Sequence, residues 1–215
     1  MRRRILSVLF ATALASPAAA QTFTAKSLFL AAVGTPDYTE TFESVPVPKD
    51  VAVSSFTQAG ISYTGLAGRP TNVWVASPGY NNFGAGLNPT ASSVLTANGN
   101  EDFLINLFAG KGAIGFDILN NGLGSVTTSF FNGATLLATI VGSGAAGMSY
   151  AGYVAAPGVK VTTVRYTATG GGTLNTGIDN LSVVDVPVTA SPEPSTLPLL
   201  ALGAGALLFV RRRRA

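Results

Sequence analysis

The chain has 215 residues, 13 of them basic and 10 acidic, with no histidine and no cysteine. Those two absences exclude Ser-His-Asp and Cys-His catalysis, zinc sites built on Cys or His, and disulfide staples. The formal +3 is set by the ends: Arg2–Arg4 and Arg211–Arg214 hold seven basic residues, so residues 21–190 keep six basic and nine acidic ones, and nucleic acid is excluded as a partner.

Arg2, Arg3 and Arg4 form a basic n-region, Ile5 to Ala15 an apolar h-region, and Ala18-Ala19-Ala20 a small-residue cleavage pattern before Gln21. This predicts a signal helix over residues 1–20, removed by signal peptidase on export. Residues 21–188 are rich in Gly, Thr, Ser, Asn and Ala, the composition of a many-turned β protein and enough chain for one core.

Thr22 to Val33 fits a short helix or an extra strand, with strand or coil the expectation. Gly34-Thr35-Pro36-Asp37 is a turn, and Tyr38–Glu43 a strand. Short strands follow at Val53–Thr57 and Ile61–Thr64, split by Ala59-Gly60, and at Asn72–Ala76. Residues 77–89 hold Pro78-Gly79, Asn81-Asn82 and Asn88-Pro89, all turn formers. Val94–Thr96 precedes the almost continuously apolar Phe103–Phe108. In Ala113–Leu119, Ile114, Phe116 and Ile118 share one face. Val126, Thr128 and Phe130 alternate in the next strand. Asn132-Gly133 then predicts a type I′ hairpin into Thr135–Val141. Tyr150–Val154, Val159–Thr167 and Leu181–Val186 complete the series, with a Gly-rich turn over Thr169–Gly177. Turn signals about every ten residues predict an all-β fold, an antiparallel β-sandwich.

The last stretch, residues 189–215, has three parts in fixed order. Pro192-Glu193-Pro194 forbids regular structure. Leu197 to Val210 is uncharged, with Leu197, Leu199, Leu200, Leu202, Leu207, Leu208, Phe209 and Val210 as its bulk. As a helix it covers about 21 Å, short of the roughly 30 Å hydrocarbon core, and spans with snorkelling and local thinning. Arg211, Arg212, Arg213 and Arg214 hold the end on the cytoplasmic side. This order resembles the PEP-CTERM sorting signal of exported bacterial proteins. The resemblance implies processing by exosortase near Pro192-Glu193-Pro194, a transient hold in the inner membrane, and release to the cell surface or extracellular matrix. Ser191 stands where that family usually has Val or another small residue.

Thr41-Phe42-Glu43, Gly115-Phe116-Asp117 and Gly177-Ile178-Asp179-Asn180 resemble a jelly-roll sandwich common among such proteins. The resemblance implies that the first and last strands lie side by side near a sheet edge. Glu43 and Asp179 would then meet, with Asn180 assisting, as oxygen ligands of a structural Ca²⁺. The competing reading has both acids capping turns or facing water.

Two motifs lack their context. Gly147-Met148-Ser149-Tyr150-Ala151 looks like a nucleophile elbow without a base. Gly142-Ser143-Gly144-Ala145-Ala146-Gly147 matches the dinucleotide fingerprint but leads into a predicted strand. Glu101, Asp102 and Asp117 are the carboxylates a glycan hydrolase would need. Trp74, Tyr80 and Asn81 combine aromatic faces with an amide, as a carbohydrate-binding surface does; the simpler alternative puts Trp74 in the core. The expectation is a non-enzymatic structural or binding sandwich, with an exopolysaccharide-binding module and a glycan hydrolase as alternatives.

Overall fold

The computed structural model describes residues 19–67, 72–79, 90–97, 101–122, 124–142, 144–169 and 176–185. In chain order these form β1 (Gln21–Phe23), α1 (Lys26–Val33), β2 (Tyr38–Glu40), β3 (Ser55–Gln58), β4 (Ile61–Gly65), β5 (Val73–Ala76), β6 (Val94–Ala97), β7 (Phe103–Lys111), β8 (Ala113–Asn120), β9 (Ser125–Asn132), β10 (Thr135–Val141), β11 (Gly147–Val154), β12 (Val161–Thr169) and β13 (Thr176–Val184). The strands pair antiparallel throughout. One sheet runs β1-β11-β8-β13-β6-β5, with β2 added against β13; the other runs β10-β9-β12-β7-β4-β3.

Side-chain alternation fills the layer between the sheets. Ile114, Phe116 and Ile118 of β8 turn inward, as expected, to meet Phe103 and Ile105 of β7, Phe130 of β9 and Val164 and Tyr166 of β12. Phe103 stacks on Tyr166 at 4.5 Å between ring centroids, and Phe130 on Tyr153 at 5.3 Å. Each such side chain, taken from water, contributes about 1.5–3 kcal/mol. The predicted pairing of the Tyr38 strand with the last one is present, Glu40 with Leu181 and Thr39 with Ser182, but β13 lies inside its sheet between β8 and β6 rather than near an edge, and the first strand, β1, pairs with β11. Phe42 then plugs the core at φ +59, its N–H donating to Glu40 Oε1 at 2.7 Å.

Four local expectations are corrected. Residues 26–33 are helical, not strand or coil. Two turns of helix are not stable alone. Phe29 and Val33, one turn apart, bury against Ala113, Tyr150 and Val184 and hold α1 on the outside of the seven-stranded sheet. Gly34 ends it at φ +77, its N–H on Leu30 O at 2.8 Å. The close seating depends on a missing side chain: a Cβ on Gly152 would stand 2.8 Å from the Phe29 ring.

The β9–β10 turn is Gly133-Ala134, one residue later than expected, with positive φ at Gly133 alone. That fits a type II′ turn; the two positive φ values of type I′ occur instead at Ala59 (+49) and Gly60 (+75), between β3 and β4. Strand β11 already begins at Gly147, and β13 at Thr176, inside what reads as Gly-rich turn in the sequence.

Among the described residues, no helix is long and apolar enough to cross a membrane. Residues 1–18 and 186–215, which include the sorting motif, the apolar anchor and the terminal arginines, lie outside the described residues.

Candidate functional site

A polar seam crosses the outer side of the seven-stranded sheet beside α1. Asp117 of β8 stands opposite Asp179 of β13 in register. The register then slips between Asp179 and Ser182, and Asn180 takes φ +51, a left-handed conformation that Asn tolerates well. At this bulge the Asn180 side chain reaches both acids: Nδ2 donates to Asp117 Oδ2 at 2.9 Å and to Asp179 Oδ2 at 3.2 Å. The first residue of α1, Lys26, adds an ammonium 2.7 Å from Asp117 Oδ2. The segment before β6 closes the other flank. Ser92 Oγ donates to Asp179 Oδ2 at 2.5 Å, and Ser93 donates to Glu43 through its N–H at 2.6 Å and its Oγ at 2.9 Å. Lys49 Nζ lies 2.9 Å from Glu43 Oε2 and 2.7 Å from Ser93 Oγ.

Glu43 and Asp179 are therefore joined through the neighbouring Ser92 and Ser93, and Asn180 belongs to the same group. Their electrostatics differ. Burial pushes the Asp179 carboxyl above its ordinary range, and the charges of Asp117 and Glu43 add to this. The Ser93 N–H, and after it Lys49, holds the Glu43 carboxyl below its ordinary range. Asp179 is 3% exposed and is met by neutral donors, Ser92 and Asn180.

The donor set is hard oxygen, of the kind calcium takes. The arrangement is not a finished cage. Both Glu43 oxygens are engaged, one of them with an ammonium, and among the described residues no group of three or more acidic side chains is placed to hold a metal ion. An ion between Glu43 and Asp179 would take over the role that Lys49 fills on Glu43.

The other predicted residues are scattered. Trp74 is on β5 opposite Thr96; Val73 and Val75 take the core positions, so Trp74 belongs to the outward face. Tyr80 and Asn81 lie outside the described residues. Glu101 and Asp102 are 5% and 2% exposed. Glu101 Oε2 accepts from Thr176 N–H at 2.8 Å and Thr96 Oγ1 at 3.0 Å, and Asp102 Oδ1 accepts from Ala168 N–H at 3.0 Å. Thr176 pairs with Asn120, three residues along β8 from Asp117, a separation of about 10 Å. These acids do not form the solvent-reached pair that a glycosidase needs. Ser149 lies in strand β11, so the elbow's strand-to-helix turn is missing, and a strand also follows Gly142–Gly147 where a dinucleotide site needs a helix.

Lys26, Lys49, Ser92 and Ser93 had no sequence signal. They are far from their partners along the chain and of types that decorate any surface.

No family model and no curated protein sequence matches the chain. Solved structures similar to it include two of known description. One is the K2 cleaved adhesin domain of Lys-gingipain, at 14% identity and a TM-score of 0.45, covering 68% of this chain and 97% of that one. The other is a structure of the Clostridium thermocellum N-terminal endo-1,4-beta-D-xylanase 10B, its CBM22-1–GH10 modules complexed with xylohexaose. There the identity is 13% and the TM-score 0.38, with 70% of this chain covered but 28% of that one.

Proposed function

We propose that this chain is an exported, exosortase-sorted protein of the cell surface or extracellular matrix, whose jelly-roll-like sandwich has a structural or binding role without catalysis. One observation carries the sorting half: Pro192-Glu193-Pro194, an uncharged run to Val210 and four arginines stand in that order, with a signal-peptide pattern at the opposite end. Signal peptidase and exosortase are the processing partners in this reading. The membrane is a temporary hold on the inner side before release.

The binding half is supported by an asymmetry of the sandwich. One sheet is partly roofed by α1, while among the described residues no helix packs on the outward face of the other. An exopolysaccharide is the partner of choice for an exported β surface rich in hydroxyls. Calcium bridging Glu43 and Asp179 belongs to the same proposal as a structural ion.

Replacing Pro192, Glu193 and Pro194 together by alanine tests the sorting. The variant is expected to stay at full length in the inner membrane while the wild-type protein leaves it. Equal release of both would remove exosortase from the account. For the binding role, a glycan array with the mature domain and with Trp74→Ala separates a site at Trp74 from one elsewhere on the sandwich.

A further inference from the structure

Among the described residues five carry a positive charge, and four of them are engaged. Lys26 is held by Asp117, Lys49 by Glu43 and Lys111 by Asp185, while Lys160 donates to the carbonyl of Asp185. The fifth is Arg165. It lies exposed on β12, and no hydrogen bond or ion pair from a described residue reaches its guanidinium. Its neighbours Val164 and Tyr166 are fully buried in the core, so alternation directs Arg165 away from it.

The registers place this side chain near the middle of the open face. Ser55 stands opposite Thr64, Thr64 opposite Leu104, Leu104 opposite Arg165, Arg165 opposite Ser129, and Ser129 opposite Thr139. This row crosses six strands and spans about 24 Å at ordinary strand spacing. The adjacent row sets Asn106, Thr163 and Phe131 in line. The hydroxyls are linked sideways, Ser129 Oγ to Thr139 Oγ1 at 3.2 Å and Thr163 Oγ1 to Asn106 Oδ1 at 3.4 Å.

Among the described residues, charge is otherwise kept off this surface. Lys111, at the far end of β7, is neutralised by Asp185 at 2.5 Å. Asp102, just before β7, is 2% exposed and accepts from the Ala168 N–H. The other described acids belong to the seven-stranded sheet, to the buried Glu101 position or to connecting segments. Among the described residues the result is a wide neutral field of hydroxyls and amides with a few apolar patches and one guanidinium without a side-chain partner. Neutral donors and acceptors with apolar patches suit sugar rings. A guanidinium with no acid opposite it on either neighbouring strand suits a planar carboxylate, which it grips with two parallel hydrogen bonds.

We propose that this outward face docks a polysaccharide bearing carboxylates, of the uronic-acid type, with Arg165 gripping a carboxylate and the Ser, Thr and Asn rows meeting the sugar hydroxyls. The proposal rests on the binding role given above and assigns it a ligand class and a surface distinct from Trp74. An uncharged glycan would leave Arg165 unused. A polyanion without sugars would leave the hydroxyl rows unused, and it would meet a domain of net negative charge with little else to hold it.

The test is calorimetric titration of the mature domain, residues 21–188, with polygalacturonate, neutral dextran and polyglutamate, using wild type, Arg165→Ala, Arg165→Lys and Trp74→Ala. The expected result is binding of polygalacturonate well above dextran and polyglutamate. Arg165→Ala should weaken it tenfold or more, Arg165→Lys by less, and Trp74→Ala should leave it unchanged. Arg165 is exposed, so its variants should keep the wild-type melting temperature. Equal affinity in Arg165→Ala, or polyglutamate binding as tightly as polygalacturonate, overturns the inference. Dextran binding that ignores Arg165 overturns it while leaving the carbohydrate-binding role intact. Wild type that binds neither glycan overturns both.

Discussion

Asp117 and Asp179 face each other across β8 and β13, and one amide, Asn180 Nδ2, donates to both at 2.9 and 3.2 Å. The bulge that brings Asn180 to them leaves Asp179 buried beside a like charge. A cation is the natural remedy for such a carboxylate. Millimolar calcium is expected to stabilise the wild-type domain by about 1–3 kcal/mol and to leave Asp179→Asn unaffected. Thermal melts with calcium and with chelator decide this. No shift in the wild type removes the ion from the account and leaves Lys49 and Lys26 as the seam's counter-charges.

Stability should fall with rising pH on account of Glu101. Burial pushes its carboxyl from 4.5 up to about 8, against the pull of the Thr176 N–H and Thr96 Oγ1. Between those values the folded chain holds a proton that the unfolded chain has released, so unfolding is favoured as pH rises through the window. Glu101→Gln keeps an oxygen for both donors and removes the charge. Denaturant titrations from pH 5 to 8.5 should show the wild type losing on the order of a few kcal/mol relative to the variant. Parallel curves would mean that Glu101 is solvated in solution.

Gly152→Ala should unseat α1. The added Cβ meets the Phe29 ring at 2.8 Å and Tyr150 Cε1 at 2.8 Å, so it is crowded from two rings at once. A cost of about 1–3 kcal/mol is expected for this overpacking, with hydrogen-exchange protection lost first along residues 26–33. A melting temperature equal to that of the wild type would show that α1 does not sit on Gly152.

Ala59 occupies a left-handed position, φ +49, in a two-residue hairpin turn with Gly60. Asn is at home there and Ala is not. Ala59→Asn is expected to stabilise by about 0.5–1 kcal/mol, read as a higher denaturation midpoint with an unchanged slope.

The sequence made the sandwich legible wherever hydrophobic alternation ran undisturbed. Ile114, Phe116 and Ile118 announce their face, and the neighbourhood of Glu40 and Leu181 followed from the resemblance of the Thr-Phe-Glu and Ile-Asp-Asn stretches. Helix α1 was obscured because Leu28, apolar like its neighbours, stays 62% exposed and blurs the stripe that Phe29 and Val33 form. The bulge at Asn180 could not be read, since a register slip leaves no mark in the order of residues. In the order of residues nothing sets Arg165 apart from any strand-surface charge. Its isolation appears once the other described cations are seen with their partners.

The central claim is export with removal of both ends. Its most direct test is the intact mass of the protein recovered from its native cells. The account predicts a polypeptide that begins at Gln21 and ends near Pro192-Glu193-Pro194, found outside the cytoplasm, with any attached glycan appearing as added mass. A full-length chain of 215 residues dissolved in the cytosol would contradict it.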